Sequence, residues 1–146
     1  MKKFIALFFL ASGVMLSFFC TDKKAEDASC AIDDPNPNKS SELAVLMRKM
    51  ATHAEEVKKE VFAGKITSAF PEDFRKIHTA VPTDSMIKGD QFDGYATAYL
   101  NNLETLYDGT GDIQPEFNAI VKTCIACHEQ SCPGPLVRIK KLIVSK

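Results

Sequence analysis

The 146-residue chain has no tryptophan, only three histidines and no surplus of either charge: 18 Lys and Arg face 19 Asp and Glu, a net of −1. Each shortage narrows the field differently. The missing tryptophan says nothing about partners, but the balanced charge gives no reason to expect nucleic acid as one. No segment alternates apolar and polar residues with period two, so no strand is expected. Nor does any set of nucleophile, general base and oxyanion donor stand out. Asp and Glu are scattered over faces expected to meet solvent, and the chain is not expected to be an enzyme.

Long apolar runs are also scarce. One exists, Phe4 to Phe19, sixteen uncharged and largely apolar residues behind Met1-Lys2-Lys3 and ahead of Cys20-Thr21-Asp22-Lys23-Lys24. It is somewhat short for a spanning helix and lacks a stop-transfer flank, so residues 1–19 read as a signal peptide. Cys20 then becomes the first mature residue of a bacterial lipoprotein, acylated there and tethered to a membrane face. Phe19 departs from the small residue that a lipobox places before its cysteine. The expected location is the periplasmic side. Loss of Lys2 and Lys3 leaves 16 basic against 19 acidic residues, a net of −3. Arg138, Lys140, Lys141 and Lys146 give the C-terminal tail a basic character, read as a solvated tail rather than a docking patch.

What the sequence does have is five cysteines, two of them in Cys124-Ile125-Ala126-Cys127-His128. A C-x-x-C-H string reads as the attachment site of one covalent c-type haem. Two thiols on one helical turn can each add to a haem vinyl group, and the next residue reaches the iron. A thioredoxin-like redox pair expects a βαβ context with its first cysteine at a helix start, whereas this pair ends a helical pattern. A zinc-bearing structural module built from Cys124, Cys127, His128 and Cys132 is the other rival, although adjacent Cys127 and His128 would have to converge on one small ion. The motif resembles that of the c-type cytochromes, and the resemblance implies thioethers at Cys124 and Cys127 with His128 as proximal iron ligand. If Cys20 carries lipid, Cys30 and Cys132 are left as an even pair in an oxidising compartment. A disulfide between them is one hypothesis; a small buried residue beside the haem edge is the alternative for Cys132.

Residues 20–39, which include Asp33-Asp34-Pro35-Asn36-Pro37-Asn38, lack hydrophobic periodicity and read as a linker ahead of a haem-binding domain over 40–146. Ser40 or Ser41 offers an N-cap to a first helix, with Leu43, Leu46, Met47, Met50, Ala54, Val57 and Val61 at spacings of three and four and Gly64 as the stop. A second, shorter helix starts at Pro71, with Phe74, Ile77, His78 and Val81 on one face. A third runs from about Lys88 to Tyr107 and carries Phe92, Tyr95, Tyr99, Leu103 and Leu106. The fourth begins between Asp112 and Pro115, aligns Phe117, Ile120, Val121 and Cys124, and delivers the haem motif at its end. The tail from Leu136 to Val144 fits a strand-like arm or a last helical turn equally well. Four amphipathic helices with short connections predict an all-α antiparallel four-helix bundle.

Most small c-type cytochromes carry C-x-x-C-H near the start of the domain; here it stands about 20 residues from the end, behind four helices. This placement resembles the cytochrome c prime superfamily, including its Met-ligated relatives, over roughly residues 40–130. The resemblance implies a distal group from the first half of helix one, and in the Met-ligated branch a methionine. Met47 and Met50 share one face; Met50, with Gly64 fourteen residues later, has the family's spacing and is the expected distal ligand. Met47 or His53 is the fallback, and Met50 as plain core filler is the competing reading. Six-coordinate iron implies an exported electron carrier with a redox partner protein. An open sixth position, with Leu46 or Leu43 beside it, implies a binder of small gases such as nitric oxide or carbon monoxide. Relatives pair through their first helices, which adds a homodimer to what the resemblance implies.

Overall fold

The computed structural model describes residues 39–145. The expected leader, Cys20, Cys30 and all but the last residue of the expected linker lie outside the described residues. Within them the chain is all-α: α1 spans Glu42–Ala63, α2 Asp90–Asp108, α3 Ile113–Ser131 and α4 Leu136–Lys140, with 3-10 helices at Glu72–His78 and Ser85–Ile87. No strand occurs among the described residues. None of their helices is long and apolar enough to cross a membrane.

Helix α1 begins where the sequence offers a cap. The Ser41 hydroxyl accepts a hydrogen bond from the Ala44 amide at 3.2 Å, satisfying one of the four orphan donors of the first turn. At the other end Gly64 adopts φ 74°, a left-handed conformation that costs glycine nothing. Leu43, Leu46, Met50, Val57 and Val61 form the buried stripe between these stops.

The segment after Pro71 differs from the expected α-helix. It winds as a 3-10 helix, and its buried residues are Phe74, Ile77 and Ala80, three apart. A turn of three residues puts i and i+3 directly in line, so His78 and Val81 fall outside the stripe and are exposed. The Val81 carbonyl accepts from the Leu43 amide at 3.0 Å, while the Val81 amide donates to Glu42 Oε2 at 3.1 Å. This segment is thereby fastened to the first turn of α1.

Helices α2 and α3 pack along one another across the turn at Gly109. Asn102 Nδ2 donates to Thr123 Oγ1 at 2.9 Å, a side-chain bond between the two helices of an αα-hairpin. Leu106, Phe117 and Val121 are each only 1% exposed, and a fully buried side chain of this size contributes about 1.5–3 kcal/mol. Tyr95, expected on the inner stripe, is half-buried, and Ala96 and Leu100 are buried beside it.

The C-terminal segment is a short helix followed by an extended end. Ile139, Leu142 and Val144 are buried. Asn118 holds both backbone groups of Val144, donating to its carbonyl at 2.8 Å and accepting from its amide at 2.9 Å. Lys58 Nζ donates to the Lys141 carbonyl at 2.7 Å. Two of the basic side chains form ion pairs, Arg138 with Glu55 at 2.8 Å and Lys140 with Glu129 at 3.1 Å, so this tail packs on the helices and is not freely solvated.

Candidate functional site

Positions i, i+3 and i+4 of a helix share one face, and Cys124, Cys127 and His128 on α3 all line a cavity of about 460 Å³. Its volume falls in the roughly 300–1,000 Å³ range of small-molecule and cofactor sites. The facing wall belongs to α1, where Met47, Met50, Ala51 and Ala54 follow the same i, i+3, i+4, i+7 spacing. Two small alanine side chains there leave room between the helices. Phe92 and Tyr99 of α2 close one side, and Ile139 and Leu142 of the C-terminal segment close another. Two cations, Arg48 and Arg138, stand among largely apolar walls.

The orientation of His128 follows from its backbone contact. Its Nδ1 lies 2.8 Å from the Cys124 carbonyl oxygen, which can only accept, so Nδ1 carries the proton and Nε2 keeps a free lone pair. A hydrogen bond of this kind fixes tautomer and ring direction in metal-ligating histidines. The thiols are neutral. Burial, with Cys127 adding to it, pushes the Cys124 pKa up to about 12; burial and then Cys132 raise that of Cys127. A reactive redox couple has its thiol pKa lowered instead. Among the described residues no three His, Cys, Asp or Glu side chains, those of Cys124, Cys127, His128 and Cys132 included, gather closely enough to hold a metal ion. Cys132 is exposed at the cavity rim.

Both candidate methionines line the cavity; Met50 is buried and Met47 partly so. His53, the remaining fallback, stands elsewhere. Its Nε2 is 3.0 Å from the Tyr107 hydroxyl, which is 2.9 Å from Ser68 Oγ, which donates to Glu60 Oε2 at 3.0 Å. Because the carboxylate accepts, each hydroxyl hands its proton down the chain, and His53 Nε2 must be the first donor. That nitrogen therefore has no lone pair to offer a metal. Burial lowers the His53 pKa against the raising effect of Glu56 and Glu60, which keeps the ring neutral. Glu60, accepting from the Thr67 side chain and amide and from Ser68, has its pKa lowered to about 2. His78 is exposed and faces Asp93 at 3.4 Å, away from the cavity.

Sequence reasoning missed three parts of this site. Ala51 could have been found, since it continues the Met47 and Met50 spacing, whereas Ala54 was assigned only to the helix stripe. Tyr99 was assigned only to a core stripe, yet it lines the cavity, and burial followed by the proximity of Cys124 and Tyr107 raises its phenol pKa. The wall supplied by Ile139 and Leu142 had no local signal. Comparison of the chain with protein-family models, with curated proteins and with solved structures finds no match.

Proposed function

We propose that the chain is an exported monohaem c-type cytochrome that transfers electrons and performs no substrate turnover. In this reading Cys124 and Cys127 hold haem c through thioethers, His128 is the proximal ligand, and Met50, with Met47 as second choice, is the distal one. The observation that carries it is the convergence of Cys124, Cys127, His128 and Met50 on one largely apolar cavity, with His128 Nδ1 held on the Cys124 carbonyl. The donor set suits haem: two neutral thiols one turn apart, an imidazole with a free lone pair, and a thioether on the opposite wall. When bound, haem supplies reversible one-electron chemistry at iron.

The protein's own residues do the rest. The walls of Phe92, Ile139 and Leu142 exclude water and keep the site apolar, a condition that tunes potential in such centres. Arg48 and Arg138 line the cavity and would meet the carboxylates of the porphyrin edge. The resemblance to the Met-ligated cytochrome c prime relatives belongs to the same proposal, with α1, the Glu72–His78 helix, α2 and α3 as the members of an antiparallel four-helix bundle. Lipid on Cys20, a periplasmic location, a Cys30–Cys132 disulfide, a redox partner protein and a homodimer through α1 are further parts of it.

The test is direct. The protein expressed with its leader in a haem-maturing host is expected to stay red through acid–acetone extraction, with intact mass increased by one haem. Loss of colour on extraction refutes the proposal. Replacing both Cys124 and Cys127 with Ala is expected to abolish the covalent adduct. A second reading, a haem-based binder of small gases, is favoured by a separate cavity of about 30 Å³ lined by Met47, Met50 and His128. Carbon monoxide binding to the reduced protein within mixing time would select it over stable Met ligation.

A further inference from the structure

Of the two arginines in the cavity wall, Arg48 belongs to α1, whereas Arg138 comes from α4, a helix of only five residues. An arginine with free rotamers gives up entropy to stay in one place, and one short helix does little to restrain it. Arg138 has a second restraint. Its Nε donates to Glu55 Oε1 at 2.8 Å, a bond between residues 83 positions apart in sequence. Glu55 stands seven residues beyond Arg48, two turns along the same edge of α1. Unlike Arg48 and Arg138, it is not part of the cavity wall.

A guanidinium carries its N–H donors in a rigid planar fork, and the bond to Glu55 uses only the one on Nε. The contact therefore orients the fork without consuming it. No other side-chain hydrogen bond or ion pair of Arg138 occurs among the described residues, so its Nη hydrogens remain for a second carboxylate. Bonding to Arg138 holds the Glu55 carboxyl below its ordinary range, which keeps it an ionised acceptor at neutral pH. Both side chains are about half exposed, 46% and 45%, and an exposed pair adds little to stability. Its consequence lies in where it fixes a positive charge.

We propose that Glu55 is a positioning residue for the haem site: it holds the Arg138 guanidinium at the cavity wall, where Arg138 compensates a carboxylate of the porphyrin edge and raises the reduction potential. The inference rests on the haem reading. The ferric centre carries one more positive charge than the ferrous, so a fixed cation nearby favours the ferrous form and an anion the ferric form. Glu55 thus has two opposed effects. Its own charge lowers the potential, and its hold on Arg138 raises it. The second is the larger, because Arg138 lines the cavity and Glu55 does not, and Coulomb interaction weakens with distance.

The experiment is a redox titration, with visible spectra, of full-length holoprotein carrying Glu55→Ala, Glu55→Gln, Arg138→Gln, or Glu55→Ala together with Arg138→Gln. Glu55→Ala removes the acceptor and releases Arg138. The potential should fall, lowering the ferrous-to-ferric ratio at a fixed electrode potential about fivefold, the order expected of one charge at a partly exposed site. Glu55→Gln keeps an acceptor oxygen for Nε while deleting the charge, so its potential should equal or exceed that of the wild type. A carboxylate acting only through space would raise the potential in both. Arg138→Gln should fall as Glu55→Ala does, with no further fall in the double variant, and the spectra should stay as they were. A ratio that rises or stays within about twofold in Glu55→Ala overturns the proposal, as does an equal fall in Glu55→Gln, a further fall in the double variant, or an altered spectrum. If Glu55→Ala takes up no haem, Arg138→Gln decides alone, and an unlowered potential there overturns the proposal. Wild-type protein that loses its colour in acid–acetone overturns the haem reading and this inference together, an outcome distinct from covalent haem with an unaltered potential.

Discussion

Replacing Met50 with Leu separates the two roles that this position can have. Met50 is 7% exposed and belongs to the core. Leu is nearly isosteric with Met, and such swaps cost less than about 1.5 kcal/mol. For a domain of this size that lowers Tm by no more than roughly 6–12 °C, so the variant should fold and take up haem. If Met50 is core filler, visible spectrum and potential stay as they were. If it is the axial ligand, a hydrocarbon now faces the iron. The low-spin spectrum is lost, carbon monoxide binds on mixing, and the reduction potential falls by more than about 0.1 V, within the ≈ 0.8 V that axial ligands span. Met47→Leu, on the same face but only partly buried, is the control and should change none of these. Redox titration and spectra of both variants decide the matter: an unaltered spectrum in Met50→Leu refutes the assignment, and a loss confined to Met47→Leu transfers it.

Three other outcomes follow from the described geometry. Glu60 has its pKa lowered by Thr67 and Ser68 to about 2 from 4.5, so its stabilisation is complete above the unfolded value and is lost as pH falls from 4.5 through about 2; Glu60→Gln should therefore flatten the acid limb of a denaturation series, and an unchanged limb would contradict the sign. Tyr107→Phe interrupts the His53–Tyr107–Ser68 chain and strands a half-buried donor, with an expected loss of about 1–3 kcal/mol in urea unfolding. Phe117→Ala removes a side chain that is 1% exposed, and calorimetry should register about 3–5 kcal/mol, large against the 5–15 kcal/mol total of a typical domain.

The cavity's two walls come from distant parts of the chain, Met47 to Ala54 on α1 and Cys124 to His128 on α3. Neither wall is a site until the helices between them have packed. Closure also depends on the C-terminal segment, held to α1 by Lys58 and Arg138 and to α3 by Asn118. An exposed ion pair such as Arg138–Glu55 contributes about 0–1 kcal/mol, so burial of Ile139, Leu142 and Val144 carries most of that attachment.

By itself the sequence determined what depends on nearest neighbours along the chain. Ser41 and Gly64 bounded α1 because capping and left-handed turns are local, and the C-x-x-C-H spacing put two thiols and an imidazole on one helical face for the same reason. The expected period of 3.6 failed after Pro71, where Phe74, Ile77 and Ala80 recur every three residues and the chain tightens to bury them. Tertiary structure alone decided which groups meet. It committed the His53 Nε2 proton to a chain ending at Glu60, turned the ambiguous tail into a cavity wall, and left the Tyr99 hydroxyl unpaired in the cavity that Met50 also lines. No local pattern encodes these, because each is settled by which atoms of remote segments fill the same space and which polar groups are left without a partner.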